Sequence, residues 1–117
     1  MSFTEAIRAV FSKYAVFEGR ASRSEFWNFV LFNFIVSFVL GFLGQFSDAF
    51  TVAASLWSVI VFLPNLGLGF RRLHDIGKSG WHTLIVFIPL AGIIIWIVWM
   101  AREGDFGENE YGPEPEA

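Results

Sequence analysis

The first residues of the chain keep a helical rhythm of apolar and polar positions, and then the sequence turns uniformly apolar. Phe3, Ile7, Val10, Phe11, Tyr14 and Phe17 recur at spacings of three and four, with Arg8, Ser12 and Lys13 on the other faces. That period predicts an amphipathic helix over 1–18, which either lies in a headgroup layer or packs on the ends of the elements that follow. Beyond it, three runs contain no Asp, Glu, Lys or Arg: 26–47, 49–70 and 79–101. At about 1.5 Å rise per residue, a helix of this length reaches roughly 33 Å, enough to cross a hydrocarbon core of about 30 Å. Barrel strands would need alternating segments of about ten residues, which these continuous runs are not. The predicted fold class is all-α. It is an integral membrane bundle of three transmembrane helices preceded by an amphipathic interfacial helix, in one membrane domain over 1–117.

Composition strengthens this picture. Of 117 residues, 55% are hydrophobic and 16% charged, with 15 phenylalanines. Globular chains run nearer 45–50% apolar and about 25% charged, so a water-facing exterior of this size could not hide so much oily surface. With no cysteine, disulfides, thiolate chemistry, Cys-ligated zinc and iron–sulfur clusters are excluded together. The formal net charge of -3 conceals a segregation of signs, because bases gather before Phe26 and over 71–78 while acids gather after Ala101. For three spans, that distribution puts the N-terminus and the second connection in the cytoplasm, and the turn at Asp48 and the acidic tail outside. Trp27 and Trp81 are then expected at the inner interface and Trp96 with Trp99 at the outer one, with Trp57 packing at mid-span. The first 25 residues have too long a charged region, and no small-x-small site, for a cleavable signal, so the first span is expected to stay as an anchor.

Within the second run, Pro64, Asn65, Gly67 and Gly69 are expected to kink or loosen the helix before Arg71, with Pro64 to Phe70 as a possible turn-back. Small residues at Ser37 and Gly41, and at Ala49 and Ala53, have the spacing that lets helices approach, either within one chain or between two. Two polar motifs flank the runs, GRASRSEFW over 19–27 and RRLHDIGKSGW over 71–81. Their charges are complementary. Glu25 and Asp75 face a set of Arg20, Arg23, Arg71, Arg72 and Lys78, and His74 completes a candidate interfacial charge network or lipid-headgroup site. Guanidinium groups suit either carboxylate or lipid phosphate, so pairing between the motifs competes with anionic-lipid binding.

These residues carry a resemblance. Tyr14, Phe17, Gly19-Arg20, Arg23, Glu25 and Trp27, then RRLHD, the GKSGW turn, Ile88-Pro89-Leu90 and the closing GENEYGP resemble the bacterial inner-membrane family designated domain of unknown function 805. His82 stands where that family often has a second aromatic. The resemblance implies a small helical protein of the bacterial inner (plasma) membrane and no known activity. The tail over 103–117 is acidic and rich in Gly and Pro, which predicts disorder, whereas the part of it in the resemblance predicts that Asn109 and Tyr111 fold back on the outer helix ends.

No catalytic, metal or cofactor site is expected. His74 beside Asp75 suggests an acid–base pair, but adjacent helix residues do not face each other. The two histidines lack a ligand pattern, GKSG lacks the spacing of a phosphate loop, and the bases are too few for nucleic acid. The leading expectation is a non-enzymatic module that binds a partner protein or anionic lipid through the Arg/His/Asp surface. An oligomeric transporter or channel subunit, and a membrane enzyme acting on a lipid-linked phosphate, are the alternatives. The partners expected are the bilayer itself, anionic lipid, and a second copy or another membrane protein.

Overall fold

The computed structural model describes residues 1–115; the last two positions of the tail expected over 103–117 lie outside the described residues. Four α-helices form, with no strand among the described residues: α1 (Phe3–Ser12), α2 (Arg23–Gly44), α3 (Asp48–Asp75) and α4 (Ala91–Ala101), and a 3₁₀ segment over Gly80–Phe87 precedes α4. Serine starts each of the first three. Ser2, Ser22 and Ser47 accept a backbone N–H from the first turn, and Ser2 with Glu5 closes a full capping box, whose hydrogen bonds hold the Glu5 carboxyl below its ordinary range.

Helices α2 and α3 form an antiparallel pair joined by a tight turn. By residue count they measure about 33 and about 42 Å, so α3 outreaches its partner. Both are long and apolar enough to cross a membrane, and only 11% of each apolar window is buried within the protein. The remaining apolar surface is what a soluble core helix would hide and a lipid-facing helix would expose. Helix α1 is shorter than the 1–18 expected, because Lys13 leaves the helical conformation. Its apolar face packs on α2: Ala6 and Val10 are buried, and Phe3 and Phe11 meet Phe32 and Phe29 edge-on. Trp57 packs on Phe11 and Phe32 and donates to Asn33 Oδ1 at 2.9 Å.

Pro64 does not end α3, which continues as a helix to Asp75 without turning back at 64–70. A proline inside a helix strands the carbonyl four residues earlier. Here that carbonyl belongs to Ile60, and the Tyr14 hydroxyl donates to it at 2.8 Å.

The third expected span is corrected. Residues 79–101 do not form one helix but a hairpin. The 3₁₀ segment runs out to Phe87, the chain reverses at 88–90, and α4 runs back. Leu90 sits at φ 63, ψ -62 with the Ala91 N–H donating to the Pro89 carbonyl at 2.7 Å, the geometry of a γ-turn. Gly92 permits the return, since a Cβ there would collide with the Ile85 carbonyl. Lys78 Nζ lies 4.9 Å from the Trp99 ring centre and His82 packs on the same ring at 5.7 Å, so both arms meet at one base. With 11 residues, α4 covers only about 16 Å.

Candidate functional site

The polar motifs meet where α2 begins and α3 and α4 end. Ser22 Oγ accepts from the Glu25 N–H and fixes the first turn of α2, which turns the Glu25 side chain inward at 1% exposure. There it accepts from Arg71 Nη1 at 2.5 Å. Three residues separate Arg72 from Asp75, one turn of α3, so Arg72 Nη1 donates to Asp75 Oδ2 at 2.8 Å. The other carboxylate oxygen is taken by Arg20 Nε at 2.9 Å. Asp75 is thereby held between two guanidinium groups, and all three arginines are buried.

Most of the remaining donors cap helix ends. The last carbonyls of a helix lack intrahelical partners and carry the negative end of its dipole, which favours cations and N–H groups there. At the end of α4, Met100 O accepts from Arg72 Nε at 3.2 Å and from Trp27 Nε1 at 3.1 Å, and Arg102 O accepts from Arg72 Nη2. At the end of α3, the carbonyls of Arg71, His74 and Asp75 accept from the Ala21 N–H, Asn109 Nδ2 and the Asp105 N–H at 3.0, 2.9 and 2.7 Å. The tail supplies two of those three donors.

The tail is ordered through this region. Arg20 donates to the carbonyls of Asp105 and Gly107, both at 2.5 Å, and to that of Gly112 at 3.2 Å. Asn109 and Gly112 exchange backbone hydrogen bonds in a tight turn that lays Tyr111 on His74, with ring centres 4.1 Å apart and planes 3° from parallel. Desolvation pushes the Tyr111 phenol above its ordinary pKa, and neighbouring Glu110 acts the same way. His74 Nδ1 lies 2.9 Å from the Gly19 carbonyl, which can only accept, so this nitrogen carries the proton. Gly104 sits so close to the Asp75 carboxylate that a Cβ would overlap it.

Six of the expected charge-network residues therefore come together: Arg20, Glu25, Arg71, Arg72, His74 and Asp75. Arg23 and Lys78 do not join them. Arg23 is exposed and only grazes the Ala101 carbonyl at 3.5 Å, while Lys78 serves the hairpin base. His74 and Asp75 point to different partners, which separates the adjacent acid and base. Arg71 Nε and Nη2 have no acceptor among the described residues. No group of three or more His, Cys, Asp or Glu side chains suited to a metal occurs among them either.

Two expectations are corrected. The tail does not lie at the end of the bundle opposite the N-terminal arm, because Arg20, Asp75 and His74 hold it at the same end. For the same reason Asn109 and Tyr111 fold back on the charged end of the helix pair and not on its far end. Trp99 shares this end through Lys78 and His82, and Trp96 packs over Gly69, so neither marks a far interface with Trp27 and Trp81 at the near one. The 3₁₀–α4 hairpin causes both corrections, since it returns the chain to where it started. His82 meets Trp99 edge-on at the hairpin base. Composition pointed to a disordered tail and hid its role; the GENEYGP motif was the one written sign of the turn.

Similarity to known proteins agrees with this reading of the motifs. The family described as "Protein of unknown function (DUF805)" matches residues 14–113. The chain is 40% identical over 111 residues to "Inner membrane protein YhaH" of Escherichia coli (strain K12), covering 91% of this chain and 92% of that one. It is 36% identical over 108 residues to "Inner membrane protein YhaI" of the same organism, covering 92% of each. No solved structure matches. The chain belongs to the DUF805 family.

Proposed function

We propose that this DUF805 member is a non-enzymatic inner-membrane module with two spans and both termini in the cytoplasm, working as a membrane-embedded binding partner and not as a catalyst. The observation that carries this is the internal neutralisation of the charged end. Arg71 pairs with Glu25 through Nη1, its Nε and Nη2 being buried without an acceptor among the described residues, while Arg20 and Arg72 share Asp75 and donate further to backbone carbonyls. Guanidinium groups buried in this way present no open face to a phosphorylated substrate, and His74 and Asp75 are engaged with different partners instead of with each other.

Sidedness follows from charge. With 79–101 folded as a hairpin, Arg102 joins the other seven basic residues on one side of α2 and α3, and the opposite turn carries only Asp48. A division of eight to none favours that side as cytoplasmic more strongly than the seven to one of three spans. The hairpin, with Phe87 and Leu90 each 76% exposed at its tip, enters the bilayer from the same side without crossing it. Inner-membrane placement is supported by the two relatives, each named an inner membrane protein. Contact with anionic headgroups passes to the exposed bases Arg8, Lys13, Arg23 and Arg102, each worth about 1 kcal/mol near an anionic leaflet.

A cytoplasm-only reporter fused after Ala117 is expected to be active. Activity of a periplasm-only reporter there would overturn the two-span reading. In detergent extracts, an Arg23→Gln, Arg102→Gln variant is expected to retain less anionic lipid than the wild type, and equal retention would remove the lipid role.

A further inference from the structure

Between α2 and α3, within the apolar zone, lies a groove of about 360 Å³ lined by Asn33, Ser37, Trp57, Ser58, Phe62 and Asn65. Counting along the helices at about 1.5 Å per residue, Asn33 lies about 12 Å beyond Glu25 and Asn65 about 9 Å beyond Arg71. These are strong polar groups at a depth where lipid offers no hydrogen bonds. Asn33 Oδ1 is occupied, accepting from Trp57 Nε1 at 2.9 Å and Ser37 Oγ at 3.5 Å, and Ser58 Oγ bonds back to the Ala54 carbonyl. The Asn33 amide N–H groups and the whole Asn65 amide make no hydrogen bond among the described residues. An unsatisfied amide in hydrocarbon is costly, so a groove of this kind favours an occupant that can pair with it.

One turn beyond Ser37, Gly41 has open space above it. At Gly44, by contrast, a Cβ would meet Thr51. Ser37 and Gly41 therefore present a small-residue surface to the outside, continuous with the groove at Ser37.

We infer that the groove is the contact by which a second copy of this chain associates in the membrane, about a two-fold axis, with Asn65 of each copy pairing to the amides of the other. A primary amide carries both donor and acceptor and so complements itself, which an isologous contact requires. Acyl chains have no such groups. The flat Ser37 and Gly41 surface lets two α2 helices approach closely enough for those side chains to meet. This rests on the proposed binding role and names its partner.

The absence of cysteine makes the test direct, since an introduced thiol is the only one present. In oxidised native membranes, Ser37→Cys and Gly41→Cys are expected to give disulfide-linked dimers, while Phe34→Cys is not. Adding Asn65→Leu to Ser37→Cys is expected to lower the dimer yield about tenfold, as loss of interhelical hydrogen bonds would. Asn65 has no hydrogen-bond partner among the described residues to lose, so the monomer keeps its melting temperature. Native mass spectrometry of the wild type from lipid nanodiscs should show a dimer. A monomer there, alone or with a lipid or another protein bound, or equal cross-linking at Phe34→Cys, would overturn the inference. The C-terminal reporter is independent of association, so a monomer with a cytoplasmic C-terminus removes only the dimer, and a periplasmic C-terminus removes the two-span reading itself.

Discussion

Residues 49–70 and 79–101 carry the same written signals, a charge-free apolar run interrupted by proline and glycine, and they fold in opposite ways. In each, the proline removes one N–H and strands the carbonyl four positions earlier. At Pro64 that carbonyl is Ile60, and a donor arrives from elsewhere in the fold, the Tyr14 hydroxyl, so the helix continues. At Pro89 the carbonyl is Ile85, and the donor is local: the Ile88 N–H closes a tight turn on it at 3.0 Å, and the chain reverses. The difference lies in where the replacement donor comes from. A distant donor lets the helix continue, whereas a donor three residues away shortens the turn and ends it.

The hairpin also depends on its base, where Arg72 grips the end of α4 and Asp75 grips Arg72. The largest expected effect is therefore at Asp75. Asp75→Asn leaves two buried guanidinium groups without their carboxylate and should cost about 3–5 kcal/mol. It should be read as a lower melting temperature in detergent together with new protease cutting in the tail. Arg23→Gln, at an exposed site, should cost about 0–1 kcal/mol by comparison. Equal effects from the two would mean that the buried network does not hold the hairpin.

Next in size is the test of the intact helix. Tyr14→Phe leaves the Ile60 carbonyl unpaired, at a cost of about 1–3 kcal/mol. Restoring the missing N–H by Pro64→Ala should shrink that cost, and a double-mutant cycle in thermal stability measures the coupling. Additive effects would show that Tyr14 does not compensate for Pro64.

The smallest effect is the sharpest, because its sign decides between shapes. Leu90 holds a left-handed backbone conformation. Such a position strains any side chain by about 1–3 kcal/mol, and glycine relieves that at an entropic cost of about 0.5–1 kcal/mol. Leu90→Gly should therefore stabilise the protein by about 1 kcal/mol. In a continuous transmembrane helix the same change would destabilise by a similar amount. Chemical or thermal unfolding in detergent reads the sign.

Much of the molecule was legible in one dimension. Uniform apolar runs announce helices too oily for water, and the opposite charges of GRASRSEFW and RRLHDIGKSGW announce that the two motifs meet. Each of these depends on the properties of residues near one another in the chain, and such properties survive in the sequence. The course of residues 79–101, the side on which the tail emerges, and the commitment of Arg20 and Arg72 to backbone carbonyls were decided only in the folded structure. Run length cannot distinguish a span from a hairpin, because the outcome depends on which distant group satisfies a carbonyl that proline has freed. Composition cannot order a tail whose partners are the carbonyls and guanidinium groups at the ends of helices 30 residues and more away. Backbone hydrogen bonding at helix ends is a tertiary matter here, since the donors that satisfy α3 and α4 come from every other part of the chain's charged end.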